Sequence, residues 1–210
     1  MVQQHILALQ SLGLRKFFVA AVGPLGCTPN QLIVSHPPRG ECADSVNNII
    51  KPFNLLLKSL VDQLNESYSD SGSIFAYGNV FGAFIDMLNN FTSYGFTVKD
   101  EGCCSTGINP GRKPCVPFSP PCITTRDKYV FWDACHPTQA ANEIIARMAY
   151  SGPPSDSSLL SNQCKVNGRI LSLCCFVKIF PTGPFGKTGM DGAVPVGAET
   201  ATGTTHMHSY

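Results

Sequence analysis

The pattern of apolar positions divides the chain into alternating helical and extended stretches. Val2, Ile6 and Leu9 fall near one helical face, and Gly13 stands where a left-handed residue would end that helix. Residues 16–22 (KFFVAAV) then form a continuous apolar run bounded by Gly23-Pro24, the signature of a strand buried on both faces and therefore of a parallel sheet. The strongest period follows: Val46, Ile49, Ile50, Phe53, Leu57, Leu60 and Leu64 recur at three-and-four spacing, predicting a core-facing helix with Pro52 inside it as a kink. Residues 73–77 (SIFAY) predict a second strand, and residues 80–88 a helix weakened by Gly82. Residues 100–128 hold four cysteines and five prolines without a usable period, which predicts a long loop tied down by disulfides. Residues 129–132 return to extended character. Pro137 then suits the first turn of a helix over 137–150, where its missing N–H costs nothing.

Strand and helix in alternation argue an α/β layered domain. Beyond residue 150 the pattern fails: an apolar stretch ends at Phe180, and from Thr182 the chain is mostly Gly, Thr, Ala and Pro, with little apolar surface to bury. At 210 residues, one domain is expected.

Charge removes two classes of partner. Lysine and arginine total 15 against 14 acidic residues, so no basic stripe is available for a nucleic acid. The longest strongly apolar stretch, 170–180, is interrupted by Ser172 and Lys178 and falls short of the roughly 20 residues that span a bilayer. Ten cysteines, with N-x-S/T sequons at Asn65 and Asn90, favour an oxidising compartment and disulfides. Against that interior, Met1 leads straight into a helical pattern rather than a signal peptide, so the chain is expected to start inside a domain.

One compact group of residues carries catalytic potential. In Asp133-Ala134-Cys135-His136 a carboxylate precedes a histidine by three residues, after a strand and before a helix. It can accept the Nδ1 proton and leave Nε2 outward as a base, the acid–base half of a serine-hydrolase triad. The bland alternative is a helix-capping Asp beside an ordinary junction His. Other chemistries lack their patterns: there is no G-x-S-x-G elbow, Cys135 and His136 are adjacent rather than brought together from afar, and neither C-x-x-C nor H-E-x-x-H occurs. A structural zinc site is not expected.

Four stretches, in order and with matching spacing, resemble the plant GDSL esterase/lipase family, a branch of the SGNH hydrolases. GLRKFFVAAVGPLGCTPNQ is similar to that family's strand and GPLGC-x-P turn. C-A-D-x-x-N-x-x-I-x-x-F-N, from Cys42 to Asn54, resembles its long helix. FGAFIDMLNNFTSYGFTVKDEGCCSTG resembles the segment leading to its Gly-Cys-Cys turn, and FWDACHPTQAAN its last motif block. The likeness covers residues 1–156. It implies a partial SGNH, flavodoxin-like three-layer α/β domain with a parallel sheet whose amino-terminal part is missing, followed by a non-family tail, 157–210, expected to be largely disordered.

By the same resemblance, Asp133 is the triad acid and His136 the general base of a hydrolase that cleaves small-molecule or lipid esters outside the cell, with no metal and no organic cofactor. The family's nucleophile sits in a GDS motif, and none of Asp44-Ser45, Asp70-Ser71 or Asp156-Ser157 follows a glycine. A catalytically inactive fragment or a binding module is therefore the competing expectation. Cys135 departs from the family pattern and is open to mispairing or oxidation. Cys27, Cys42, Cys103, Cys104, Cys115 and Cys122 are expected to form disulfides, with the pairing left open among 15 possibilities.

Overall fold

The first turn of chain already shows a local rule at work. Helix α1 (Val2–Ser11) must end where Gly13 adopts φ +101°, and the Gly13 and Leu14 N–H groups donate to Gln10 and Leu9 carbonyls, a Schellman close that delivers the chain into the sheet. The computed structural model describes residues 1–104, 115, 122, 125–151, 165–166, 169–170 and 175–177. The chain divides into two units, Met1–Phe180 and Pro181–Tyr210, and the described residues lie in the first.

Strand β1 (Lys16–Ala20) buries Phe17, Phe18 and Val19 in succession, as a strand covered on both faces must. After a single-turn 3₁₀ segment at Leu25–Cys27 come helix α2 (Pro29–Ser35) and helix α3 (Asp44–Ser67), which returns the chain to β2 (Ile74–Gly78). β2 lies parallel to β1, in a register that runs from Lys16 beside Ile74 to Ala20 beside Gly78. The apolar stretch near 170–180 contributes β7 (Cys175–Val177), parallel to the other edge of β1, so that β1 is central in the order β2-β1-β7. Helix α4 (Val80–Asn89) and strand β3 (Val98–Gly102) lead to β4 (Tyr129–Phe131), parallel to β3, and helix α5 (Gln139–Ser151) follows. Two dipeptide strands, β5 (Lys165–Val166) and β6 (Arg169–Ile170), pair antiparallel. The molecule is thus a mixed α/β structure with its parallel strands in small sheets, as expected for part of a layered α/β domain. Apart from β5, β6 and β7, the tail from 157 lies outside the described residues, and so does the expectation that it is disordered.

Helix α3 corrects the sequence reading of its own face. Ile49 is expected in the core stripe but is 75% exposed, whereas Asn47, Ile50, Asn54, Leu57, Val61 and Leu64 are buried. The two asparagines belong inside because their amides find backbone partners, which a search for apolar residues does not register. Asn54 accepts from Val22 N–H at 2.9 Å and donates to Val22 C=O at 2.8 Å, while Asn47 Oδ1 accepts Gly26 N–H at 2.9 Å. Asn65 clasps Phe75 in the same way, at 3.0 and 2.7 Å, so this sequon asparagine already serves the fold. The helix continues through Pro52, which lies on its exposed side.

Among the described residues, two large apolar clusters form beside a small one at Phe18 and Ala76. One joins α1, β1, α3 and β2 through Ile6, Phe17, Val19, Leu57, Val61, Leu64 and Phe75, with Phe17 and Phe75 stacked at 4.9 Å. The other lies under the end of β4, where Phe84, Met87, Leu88, Phe96, Val130, Phe131 and Ala141 pack together. Among the described residues, no helix is long and apolar enough to cross a membrane.

Tyr94 fastens the turn between α4 and β3 to this second cluster by donating to Asp86 Oδ2 at 2.5 Å. Burial, then the hydrogen bond and the charge of Asp86, push its phenol from 10.0 up to about 12. The unfolded chain therefore loses this proton first. The stabilisation is complete below pH 10.0 and is lost as pH rises toward about 12. Measured by urea unfolding at each pH, wild type should therefore lose stability more steeply than Tyr94→Phe between pH 10.0 and about 12, and at matched neutral stability it should denature at the lower alkaline pH. In urea, Phe75→Ala should cost about 3–5 kcal/mol, whereas Leu56→Ala on the exposed face of α3 should change stability by less than about 0.5 kcal/mol.

Candidate active site

The site is assembled where β4 ends. Phe131 bridges to Pro137, and Trp132 N–H donates to His136 C=O at 2.7 Å, folding residues 132–136 into a tight loop. Thr138 then caps α5: its hydroxyl accepts Ala141 N–H at 3.2 Å and donates to Tyr129 C=O at 2.8 Å. The helix consequently begins at Gln139, and Pro137 stands before it as part of the loop rather than in its first turn. Thr138 supplies the cap that fixes the start.

Within this loop Asp133 is 3% exposed, while the His136 side chain is 67% exposed. His136 Nδ1 lies 3.0 Å from Oδ1 and 2.9 Å from Oδ2 of the carboxylate. Backbone N–H groups supply the remaining partners: His136 and Cys135 donate to Oδ1 at 2.8 and 3.0 Å, and Cys115 donates to Oδ2 at 3.0 Å. Burial by itself pushes the carboxyl up, but the backbone bonds from Cys135, Cys115 and His136, joined by the imidazole, outweigh it and hold Asp133 below its ordinary value. An ionised carboxylate can only accept, so the shared proton sits on Nδ1 and the Nε2 lone pair of a neutral ring is directed away from Asp133. Among the described residues, no hydroxyl is hydrogen-bonded to His136.

Two features of the site are not legible in the D-x-x-H pattern. The first is Cys115. The disulfides pair Cys27 with Cys42, Cys103 with Cys122 and Cys104 with Cys115, and the last of these places the Cys115 N–H on the carboxylate across a separation of 18 residues. The second is Gly102, at the end of β3. A Cβ there would stand 2.8 Å from the Asp133 Cα and carbonyl carbon, so only glycine lets the Gly-Cys-Cys turn lie against the loop. Cys103 and Cys104 then donate to Phe131 and Trp132 carbonyls, and Asn30 N–H, from the first turn of α2, donates to Ala134 C=O at 2.9 Å.

Cys135 is a free thiol, exposed, with Sγ 3.7 Å from His136 Nδ1. Burial, then the charge and hydrogen bond of Asp133, push it up, which keeps it protonated and poorly suited as a nucleophile. A cavity of about 500 Å³ lined by Arg126, Asp127, Gln139, Ala140 and Glu143 lies along the start of α5 and contains neither Asp133 nor His136.

Comparison with known proteins agrees with this architecture. The model of the GDSL-like lipase/acylhydrolase family matches residues 1–148. GDSL esterase/lipase At1g71250 of Arabidopsis thaliana is 53% identical over 154 residues, covering 73% of this chain and 40% of the relative. GDSL esterase/lipase At5g08460 is 50% identical over 153 residues, covering 72% and 40%, and GDSL esterase/lipase 7 is 44% identical over 148 residues, covering 70% and 40%, both from the same plant. A layered α/β chain with these matches belongs to the GDSL-like lipase/acylhydrolase family. It spans about 40% of the length of the curated relatives it matches.

The packing at Gly102 is testable. Gly102→Ala should destabilise the chain by about 1–3 kcal/mol through overpacking. In NMR spectra it should also shift the Nδ1 proton signal of His136, because Asp133 has to move; an unchanged signal would mean that the turn does not position the carboxylate.

Proposed function

We propose that this chain supplies the acid and the base of an ester-hydrolysing site, with Asp133 orienting His136 and His136 Nε2 taking the proton of a serine. The observation that carries the reading is the saturated, buried carboxylate behind an exposed imidazole, which fixes the ring tautomer and leaves Nε2 free. A helix-capping aspartate would not need that arrangement: the cap of α5 is Thr138. In the reaction, Nε2 accepts the serine proton as the hydroxyl attacks the ester carbonyl, and returns it to the departing alcohol. A water activated by the same nitrogen then releases the acyl group.

The nucleophile and the oxyanion donors belong, on this reading, to the GDS-bearing part of the family that the matched residues do not include. Carboxylic esters of lipids or small acylated molecules are the substrate class. Three disulfides favour an oxidising, extracytoplasmic setting.

Hydrolysis of p-nitrophenyl acetate and butyrate tests this directly. The 210-residue chain should be inactive, and a chimaera that places the GDS-bearing segment of a close relative ahead of residue 1 should be active. In that chimaera His136→Ala should lower kcat by about 10⁴- to 10⁶-fold and Asp133→Asn by about 10⁴-fold. Activity of the chain alone that survives His136→Ala would assign the chemistry elsewhere.

A further inference from the structure

The Cys135 thiol has no part in the hydrolytic scheme, yet it stands beside Asp133 and His136, which do. The donor atoms of Asp133, Cys135 and His136 all lie within 4.8 Å of one another. For a tetrahedral ion bound at about 2.3 Å from sulfur and about 2.0 Å from nitrogen, the two ligand atoms should be about 3.5 Å apart. The observed separation between Cys135 Sγ and His136 Nδ1 is 3.7 Å. The nearer carboxylate oxygen is 2.9 Å from Nδ1, so that pair must open by only a few tenths of an ångström to share an ion, and the ring that must move is two-thirds exposed. A thiolate, an imidazole and a carboxylate together select a borderline-soft cation over magnesium or calcium, which require oxygen ligands. Two negative ligands also balance a double positive charge.

We propose that Asp133, Cys135 and His136 form a binding site for a thiophilic divalent cation of the zinc class, with a fourth position open to water. The ion displaces the thiol proton to solvent and occupies Nδ1. The imidazole remains neutral, so its single proton moves to Nε2, again through solvent. That tautomer cannot accept a proton at Nε2. The consequence for catalysis, which rests on the hydrolase reading, is a base switched off by the metal.

Binding can be tested without turnover. The purified, disulfide-intact 210-residue chain is titrated with cadmium while the ultraviolet cadmium–thiolate band is followed, and zinc is then added to displace it. One equivalent of that band should disappear in Cys135→Ser and in Cys135→Ala. Its half-saturation concentration should rise by at least about tenfold in His136→Ala, since even outer-shell changes cost about 10- to 100-fold in metal affinity. Nitrogen-15 spectra of the zinc-loaded chain should show the His136 proton on Nε2. Retention of the full band in both Cys135 variants would overturn the site, and so would cadmium affinity unchanged by His136→Ala, which would leave a thiol binding alone. Because the readout is the metal, an inactive esterase chimaera would not count against the site, nor would absent binding count against the hydrolase reading.

Discussion

A carboxylate buried to 3% exposure has to be fully hydrogen-bonded, and that requirement organises much of what surrounds Asp133. Its partners come from two places in the sequence. The loop that follows it gives two N–H groups and the imidazole, and the disulfide-tied segment gives the third N–H. The Gly-Cys-Cys turn makes room for this convergence, since any side chain at 102 would collide with the Asp133 backbone. Beneath it, Val130 and Phe131 anchor the strand end in the cluster built with α4 and α5, so the charge rests on packed apolar support.

The same economy of polar groups governs the other half of the structure. Helix α3 is held to its neighbours by apolar burial and also by Asn47, Asn54 and Asn65, whose amides pair with backbone at Gly26, Val22 and Phe75. Each is worth more as a register device than as bulk. An apolar residue could fill the same space along the sheet, but it would leave the backbone groups at the strand ends without these partners. Gly26 permits the closest of these approaches, with Ala43 C=O only 2.3 Å from where a Cβ would lie.

How far the sequence could be read follows from this distinction. Continuous burial in β1 and the helical period of α3 announce themselves through apolar spacing, and the Schellman glycine at 13 through its position. What apolar spacing cannot report is polar burial, and so Ile49 is assigned to a core that Asn47 and Asn54 occupy. Strand β3, with the sequence VKDEG, shows no apolar alternation because its middle residues face solvent; only its pairing with β4 makes it a strand. At the site, Asp133 and His136 are three residues apart and visible as a pair. Cys115 contributes a backbone N–H, a group every residue but proline carries, so nothing in its identity as a side chain marks that role.

The Cys104–Cys115 bridge gives the site a history. That bond holds Cys115 N–H against the carboxylate, as the one donor that neither the loop after Asp133 nor the adjacent ring provides. Oxidation therefore does more than brace a loop. It completes the hydrogen bonding of a residue 18 positions further along the chain, so the redox state of one cysteine pair reaches a single buried acid.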